Sequence, residues 1–266
     1  MLAVTGYPLG YAVWLSLQRY DLDTPGQRRW VWLDNYAAVL GAAVFRADLL
    51  VTVVVTVVSV AVEVAVGLAV ALVLHRATIG RRTLRTSVLV PYGVVSVAAA
   101  IAWRYAVHPD VSAVTDRDWL AQQWSAVAVV IGTEVWKATP FVALLLLAGL
   151  ATVPEELYEA ARVDGATGWQ RWSRVTLPNL RPAILVAVLF RTLDTFRVFD
   201  PVFVLTGGAN GTETLSVAGY DRLVNRLDLG LGSAFAVVLF GLAGLLAAGF
   251  GRRFAAELGP ARDGRR

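Results

Sequence analysis

Cysteine is absent from the 266 residues, methionine and lysine occur once each, and histidine occurs twice. Each scarcity removes a class of chemistry. Without cysteine there is no disulfide and no thiolate metal site, although this leaves the redox compartment open. The single lysine, Lys137, follows Trp136, so the phosphate-cradling pattern G-x-x-x-x-G-K-[ST] cannot be written anywhere in the chain. The two histidines, His75 and His108, fall in different connections, on opposite membrane sides in the topology below, which disfavours a histidine-based metal or catalytic pair. Charge is sparse too, at 17% of residues, and it is not spread evenly.

What is present is apolar sequence in long runs. The chain is 57% hydrophobic with a mean hydropathy of +0.59, and its apolar residues are gathered rather than spaced at the periods of soluble helices or strands. A bilayer core of about 30 Å takes roughly 20 mostly apolar residues per helix. Such runs read as spans at 49–74, 86–107, 123–150, 182–206 and 231–250, with a shorter one at 1–18. The spanning element must be helical, because isolated strands leave backbone groups unpaired in lipid and the ten-residue alternation of a barrel is missing. The expected fold class is an all-α polytopic membrane protein with about six transmembrane helices, the first one short, forming a single domain over 1–266 with core helices in 49–250. The 1–18 run contains Gly6, Pro8 and Gly10 and would make a helix of about 27 Å, as if the chain began inside a longer first helix. It lacks the basic start and the small-residue cleavage site of a signal peptide.

Arginine sets the expected orientation. With the N-terminus inside, the cytoplasmic segments hold thirteen arginines and the outer ones seven, four of those in the long first loop. Both termini are then cytoplasmic and the location is the cell membrane. The formal charge of +4 reflects topology, and no soluble basic surface remains for nucleic acid. The loops at 19–48, 108–122 and 207–230 fall outside, with Trp30, Trp32, Trp119 and Trp124 as interfacial anchors; the basic 75–85 connection falls inside.

One polar stretch interrupts this pattern. EELYEAARVDGATGWQRWSRVTLPNLRP, residues 155–182, carries four acidic and four basic side chains between two runs able to cross a bilayer. Thr152 and Glu155 have capping-box spacing, with Pro154 in the first turn. Leu157, Ala160 and Ala161 then share a helical face, Gly165 stops the helix, and Trp169, Trp172 and Val175 or Thr176 mark a second short helix ending at Leu177-Pro178. Two readings suit such an elbow. It could lie on the lipid surface, a mode that prefers Lys and Arg on the polar face, or dock into a groove of a partner protein; the acidic first helix favours docking.

Glu159-Ala160-Ala161, Asp164-Gly165-Ala166 and Leu177-Pro178 resemble the EAA loop of binding-protein-dependent ABC importer permeases, a long and specific pattern. The resemblance extends to TGYPLGYAVWLSLQ (5–18), VPYGVV (90–95), EVWKATPF (134–141), FRTLDTFRVFDPVFVLTGG (190–208) and GLGS (230–233), and so covers nearly the whole chain. It is similar to the MalF/UgpA-like sugar importer permeases, most of all to those of trehalose importers. It implies a type I ABC importer transmembrane domain. It also implies a second homologous permease, two ATPase subunits docking at the 152–178 loop, and an extracytoplasmic solute-binding protein that delivers the sugar. The chain would not be an enzyme and would bind no cofactor, ATP and Mg belonging to the partner ATPase. Glu159, Ala160, Ala161, Asp164, Gly165, Ala166, Leu177 and Pro178 would transmit ATPase closure. The widespread GGP after the fifth span reads Gly207-Gly208-Ala209 here, a departure that trehalose-type members share.

Ionisable groups inside spans are costly and invite a functional reading. Glu134 and Lys137, three residues apart, are placed to pair. Arg191, Asp194, Arg197 and Asp200 form an i, i+3 ladder that winds halfway round a helix, so it cannot all face one neighbour. Ion pairs that fix packing and groups that line a sugar route both fit it. The route reading takes Asp194, Arg197 and Asp200, with Phe199 and Phe196 for the apolar faces of a sugar and Thr206 at the end of the span. Pro201 removes a backbone bond to Arg197 and should bend the helix there. Glu63, alone in its span, reads as an interhelical hydrogen-bonding group. Outside sugar import, the alternatives are a permease for another solute such as a maltooligosaccharide or glycerol phosphate, an ion-coupled secondary transporter, for which no inverted repeat is visible, and an anchoring subunit without a pathway.

Overall fold

The computed structural model describes residues 2–76, 81–111 and 117–258. Met1, parts of the 75–85 and 108–122 connections, and the C-terminal arginines 262, 265 and 266 lie outside the described residues. The chain runs α1 (Leu2–Ser16), a two-stranded hairpin β1 (Gln18–Arg19) and β2 (Arg29–Trp30), α2 (Asp34–Gly41), α3 (Ala43–Arg76), α4 (Arg81–Gly93), α5 (Ser96–Val107) and α6 (Gln123–Ala151). Then come α7 (Glu155–Val163), α8 (Gly168–Arg171), α9 (Leu177–Thr195), α10 (Asp200–Leu205), α11 (Leu215–Tyr220) and α12 (Leu229–Leu258).

Among the described residues, four helical segments are long and apolar enough to cross a membrane: Ala43–Arg76, Gln123–Ala151, Gly168–Thr195 and Leu229–Arg253. A fifth, Thr86–Gly93 with Ser96–Val107, qualifies only as a pair bent by 92°. The first helix has 15 residues, about 22 Å at 1.5 Å per residue, and falls short of a bilayer core.

Two of the expected spans are therefore broken, each beside a proline. In 86–107, Pro91 cannot donate back along α4, Gly93 ends it, and Val95 is extended at ψ 137° before α5 begins. In 182–206, α9 stops at Thr195 and α10 starts afresh at Asp200 with Pro201 in its first turn, where the missing N–H is no loss. The expected bend at Pro201 is thus a complete interruption, and only the first half of the Arg191–Asp200 ladder is helical.

The packing explains which helices stay whole. One apolar cluster joins Val55 of α3, Ala100 of α5, Val130 of α6 and Val202 of α10; another joins Ala71 of α3, Val142 and Leu146 of α6, and Leu180 and Ala187 of α9. At the second cluster the backbone of α6 at Gly149 meets the side chains of Leu180 and Ala183 on α9. A Cβ on Gly149 would lie 2.5 Å from the Ala183 Cβ, so only glycine fits. Between the clusters, α3, α6 and α9 each bring one charged residue inward: Glu63, Glu134 and Arg191.

Candidate solute pathway and coupling elbow

Arg191 is the hub of the bundle. Its guanidinium donates from Nε to Glu63 Oε2 at 2.6 Å and from Nη2 to Glu63 Oε1 at 2.9 Å, a two-pronged pair between α9 and α3. Nη2 also reaches Glu134 Oε2 of α6 and Thr195 Oγ1, both at 3.0 Å, while Nη1 pairs with Asp194. The Glu63 and Arg191 side chains are 0% and 6% exposed, whereas Asp194 is 70% exposed. Glu63 is the interhelical group expected of it. The expected Glu134–Lys137 pair does not form: the stronger call on Glu134 is the guanidinium across the helix interface, and Lys137 instead donates to Ser96 Oγ at the start of α5.

Beside this hub lies a cavity of about 420 Å3 into which both helix breaks open. Tyr92 and Ser96 flank the first break; Arg197, Val198, Phe199, Asp200 and Pro201 form the second; Glu134, Lys137, Arg191 and Asp194 complete the wall. Asp194, Arg197, Phe199 and Asp200 are thus brought together as the sequence suggested. Thr206 is not. Its hydroxyl donates to Val202 O at 3.0 Å and pairs with Thr212 Oγ1 at 2.7 Å, which ends α10. Phe196 is also excluded, being 4% exposed in a core with Phe235 and Leu215. Phe199 is half-buried, stacks with Phe203 and meets Tyr220 with the rings tilted by 59°, each at a centroid distance of 5.1 Å. The wall carries three cationic and three anionic side chains, and the Arg197 guanidinium and Asp200 carboxylate make no ion pair among the described residues. A charge-balanced, polar wall with aromatic edges can hydrogen-bond a neutral polyhydroxylated molecule. Sequence reasoning missed Tyr92 and Ser96; the Pro91-Tyr92-Gly93 breaker was the available signal.

At the other end, the elbow is built differently from expectation in two respects. Thr152 does not cap α7: its hydroxyl donates to Gly149 O at 2.8 Å and Pro154 occupies the cap. The reciprocal capping box forms at Thr167 and Gln170 instead, with Gln170 N donating to Thr167 Oγ1 at 3.3 Å and Thr167 N to Gln170 Oε1 at 2.7 Å. Nor does the chain stop at Leu177-Pro178. A wide i→i−5 turn over Trp172–Thr176 leads straight into α9, with Leu177 N–H bonded to Trp172 O, so Pro178 falls in a first turn that needs no donor. Gly165 does end α7, at φ +73°, with Ala166 N donating to Ala161 O at 2.9 Å. No residue of α7 is buried; Leu157, Val163 and Trp169 are 41%, 88% and 74% exposed. Glu159, Ala160 and Asp164 are exposed with them, so the elbow offers an unpartnered ridge.

Near the 207–230 loop, Asp221 accepts from Asn225 Nδ2 at 2.9 Å and Arg226 Nε at 2.8 Å, which holds its carboxyl below the usual range. Burial, and next the Asp221 charge, push Glu213 above its ordinary 4.5. A raised folded-state value means that the favourable contribution belongs to the protonated form, present below pH 4.5 and lost as pH rises through the folded value. Glu213→Gln is therefore expected to raise the melting temperature at neutral pH and to leave it unchanged near the acid end, as scanning fluorimetry in detergent would read.

A family model described as the binding-protein-dependent transport system inner membrane component matches residues 63–258. The chain belongs to this family. Within it, the chain is 49% identical over 261 residues to the trehalose transport system permease protein SugA of Mycobacterium tuberculosis, covering 96% of this chain and 85% of that one. It is 38% identical to the trehalose/maltose transport system permease protein MalF of Thermococcus litoralis, over 88% of this chain and 82% of that one. Among solved structures, a chain of a bacterial ABC transporter involved in the import of the acidic polysaccharide alginate superposes with a TM-score of 0.83 at 20% identity, covering 96% and 91% of the two chains. That likeness establishes the fold: this family member has the transmembrane architecture of an ABC importer. The curated relatives are permease subunits, and this one is a multi-pass membrane protein.

Proposed function

We propose that the chain is one of two permease subunits of an ATP-driven importer of a neutral disaccharide, trehalose foremost. A solute-binding protein delivers the sugar from outside. The ATPases, carrying ATP and Mg, dock on the elbow at the cytoplasmic face, where both termini also lie. The observation that carries this reading is the cavity between the two helix breaks, whose balanced charges suit hydroxyl groups rather than an ionic solute. The trehalose and trehalose/maltose permeases among its relatives favour the disaccharide, and the exposed ridge around Glu159 supplies the docking face.

Asp200→Asn and Arg197→Gln, assembled with the partner subunits in liposomes, test it. Each removes one charged hydrogen-bonding group, worth about 1.5–3 kcal/mol, so trehalose uptake should fall about ten- to hundredfold. ATP hydrolysis without solute should persist. Unaltered uptake in both variants would refute the pathway assignment.

A further inference from the structure

A second cavity, of about 300 Å3, opens beneath the elbow, where α3 and α6 end. Its inner wall is apolar, made by Leu72, Leu150 and Trp172; its outer part is basic, with Arg76, Arg162 and Arg171 against the single carboxylate of Glu155. That carboxylate is already engaged by Arg162 Nη2 at 3.2 Å. Arg76 at the end of α3 and the half-buried Arg171 of α8 have no acidic partner among the described residues. A half-buried guanidinium without a counter-charge is costly, and Arg171 shares the wall of this cavity with the exposed guanidinium of Arg76, so the two together can hold a tetrahedral oxyanion.

The surroundings narrow the ligand. Arg76 closes the most apolar span of the chain, and Leu150 lies one residue before the end of another, so the mouth lies at a membrane–water boundary. A cationic rim over an apolar wall at such a boundary matches a phosphate that carries an acyl chain. We propose that this cavity binds the phosphate of an anionic phospholipid headgroup, clasped between Arg76 and Arg171 and thereby bridging the end of α3 to the second arm of the elbow. This goes beyond the transport reading and does not depend on which solute is carried.

The test uses the assembled complex in nanodiscs of phosphatidylcholine with phosphatidylglycerol, followed by release and native mass spectrometry. Arg76→Gln with Arg171→Gln is compared with Arg252→Gln with Arg253→Gln, which removes the same charge from exposed positions on α12. Retained phosphatidylglycerol should fall at least tenfold in the first pair and stay at the wild-type level in the second. Equal loss in both would mean diffuse attraction to basic loops and would overturn the site, as would no retention in the wild type. Loss of the ATPase without loss of lipid would overturn it in favour of a protein contact. A further arm adds glycerol 3-phosphate: displacement of the retained lipid at millimolar levels would assign the same two arginines to a soluble phosphate, and resistance to displacement supports the lipid. Trehalose uptake measured in parallel keeps failure of the transport reading distinct.

Discussion

Replacing Arg191 by methionine is expected to destabilise the helical bundle severely. The substitution keeps the bulk of the side chain but strips the counter-charge from Glu63 and Glu134, whose side chains are 0% and 13% exposed. Breaking a buried ion pair from one side costs about 3–5 kcal/mol, a large part of the roughly 5–15 kcal/mol that holds a domain together. For a chain of this size that corresponds to a fall in melting temperature of about 10 °C, with loss of the monodisperse peak in size-exclusion chromatography. Glu63→Gln should be much milder, because an amide oxygen still accepts from the guanidinium and Glu134 and Asp194 still balance it. A wild-type melting temperature in the methionine variant would mean that the hub does not hold α3, α6 and α9 together.

The second large effect is the reverse in kind: full folding with lost coupling. Glu159 is 66% exposed and its nearest cation, Arg162 Nη2, lies 3.9 Å away. Such a surface pair is worth about 0–1 kcal/mol, so Glu159→Lys should fold and insert normally. Charge reversal in the centre of the exposed ridge should nevertheless prevent co-purification of the ATPase or reduce solute-stimulated hydrolysis at least tenfold. A fully coupled Glu159→Lys complex would remove the elbow from the docking role. The pair of experiments separates stability from mechanism, since the first acts on a buried charge and the second on an exposed one.

How legible all this was in the sequence depended on the length scale of the signal. The helical membrane class, the runs that become α3, α6 and α12, and the polar elbow followed from composition over twenty or more residues, where hydropathy dominates. The gathering of Asp194, Arg197, Phe199 and Asp200 followed from residue type inside a run. What escaped was decided by partners distant in the chain. Glu134 was read with Lys137 because they are three apart, but the bond that forms joins it to a guanidinium 57 residues away. Thr206 and Phe196 were assigned to the pathway by adjacency, yet one faces a hydroxyl at Thr212 and the other a core built with α12. The capping error at Thr152 was local: Thr-x-x-Glu matched the pattern, but the preceding helix had not yet ended and claimed the hydroxyl.

The contact at Gly149 has a mechanical consequence. The elbow leaves α6 and re-enters α9 close to where Gly149 of one rod meets the Ala183 methyl of the other, and farther along the same rods are riveted to α3 through Arg191. If the elbow is pushed, its two roots are expected to move together with α3 as one stalk rather than separate. The short segments after the gaps at Gly93–Ser96 and Thr195–Asp200 meet that stalk through the apolar side chains of Ala100 and Val202, so a change in the shape of the chamber is expected to be taken up at the two gaps.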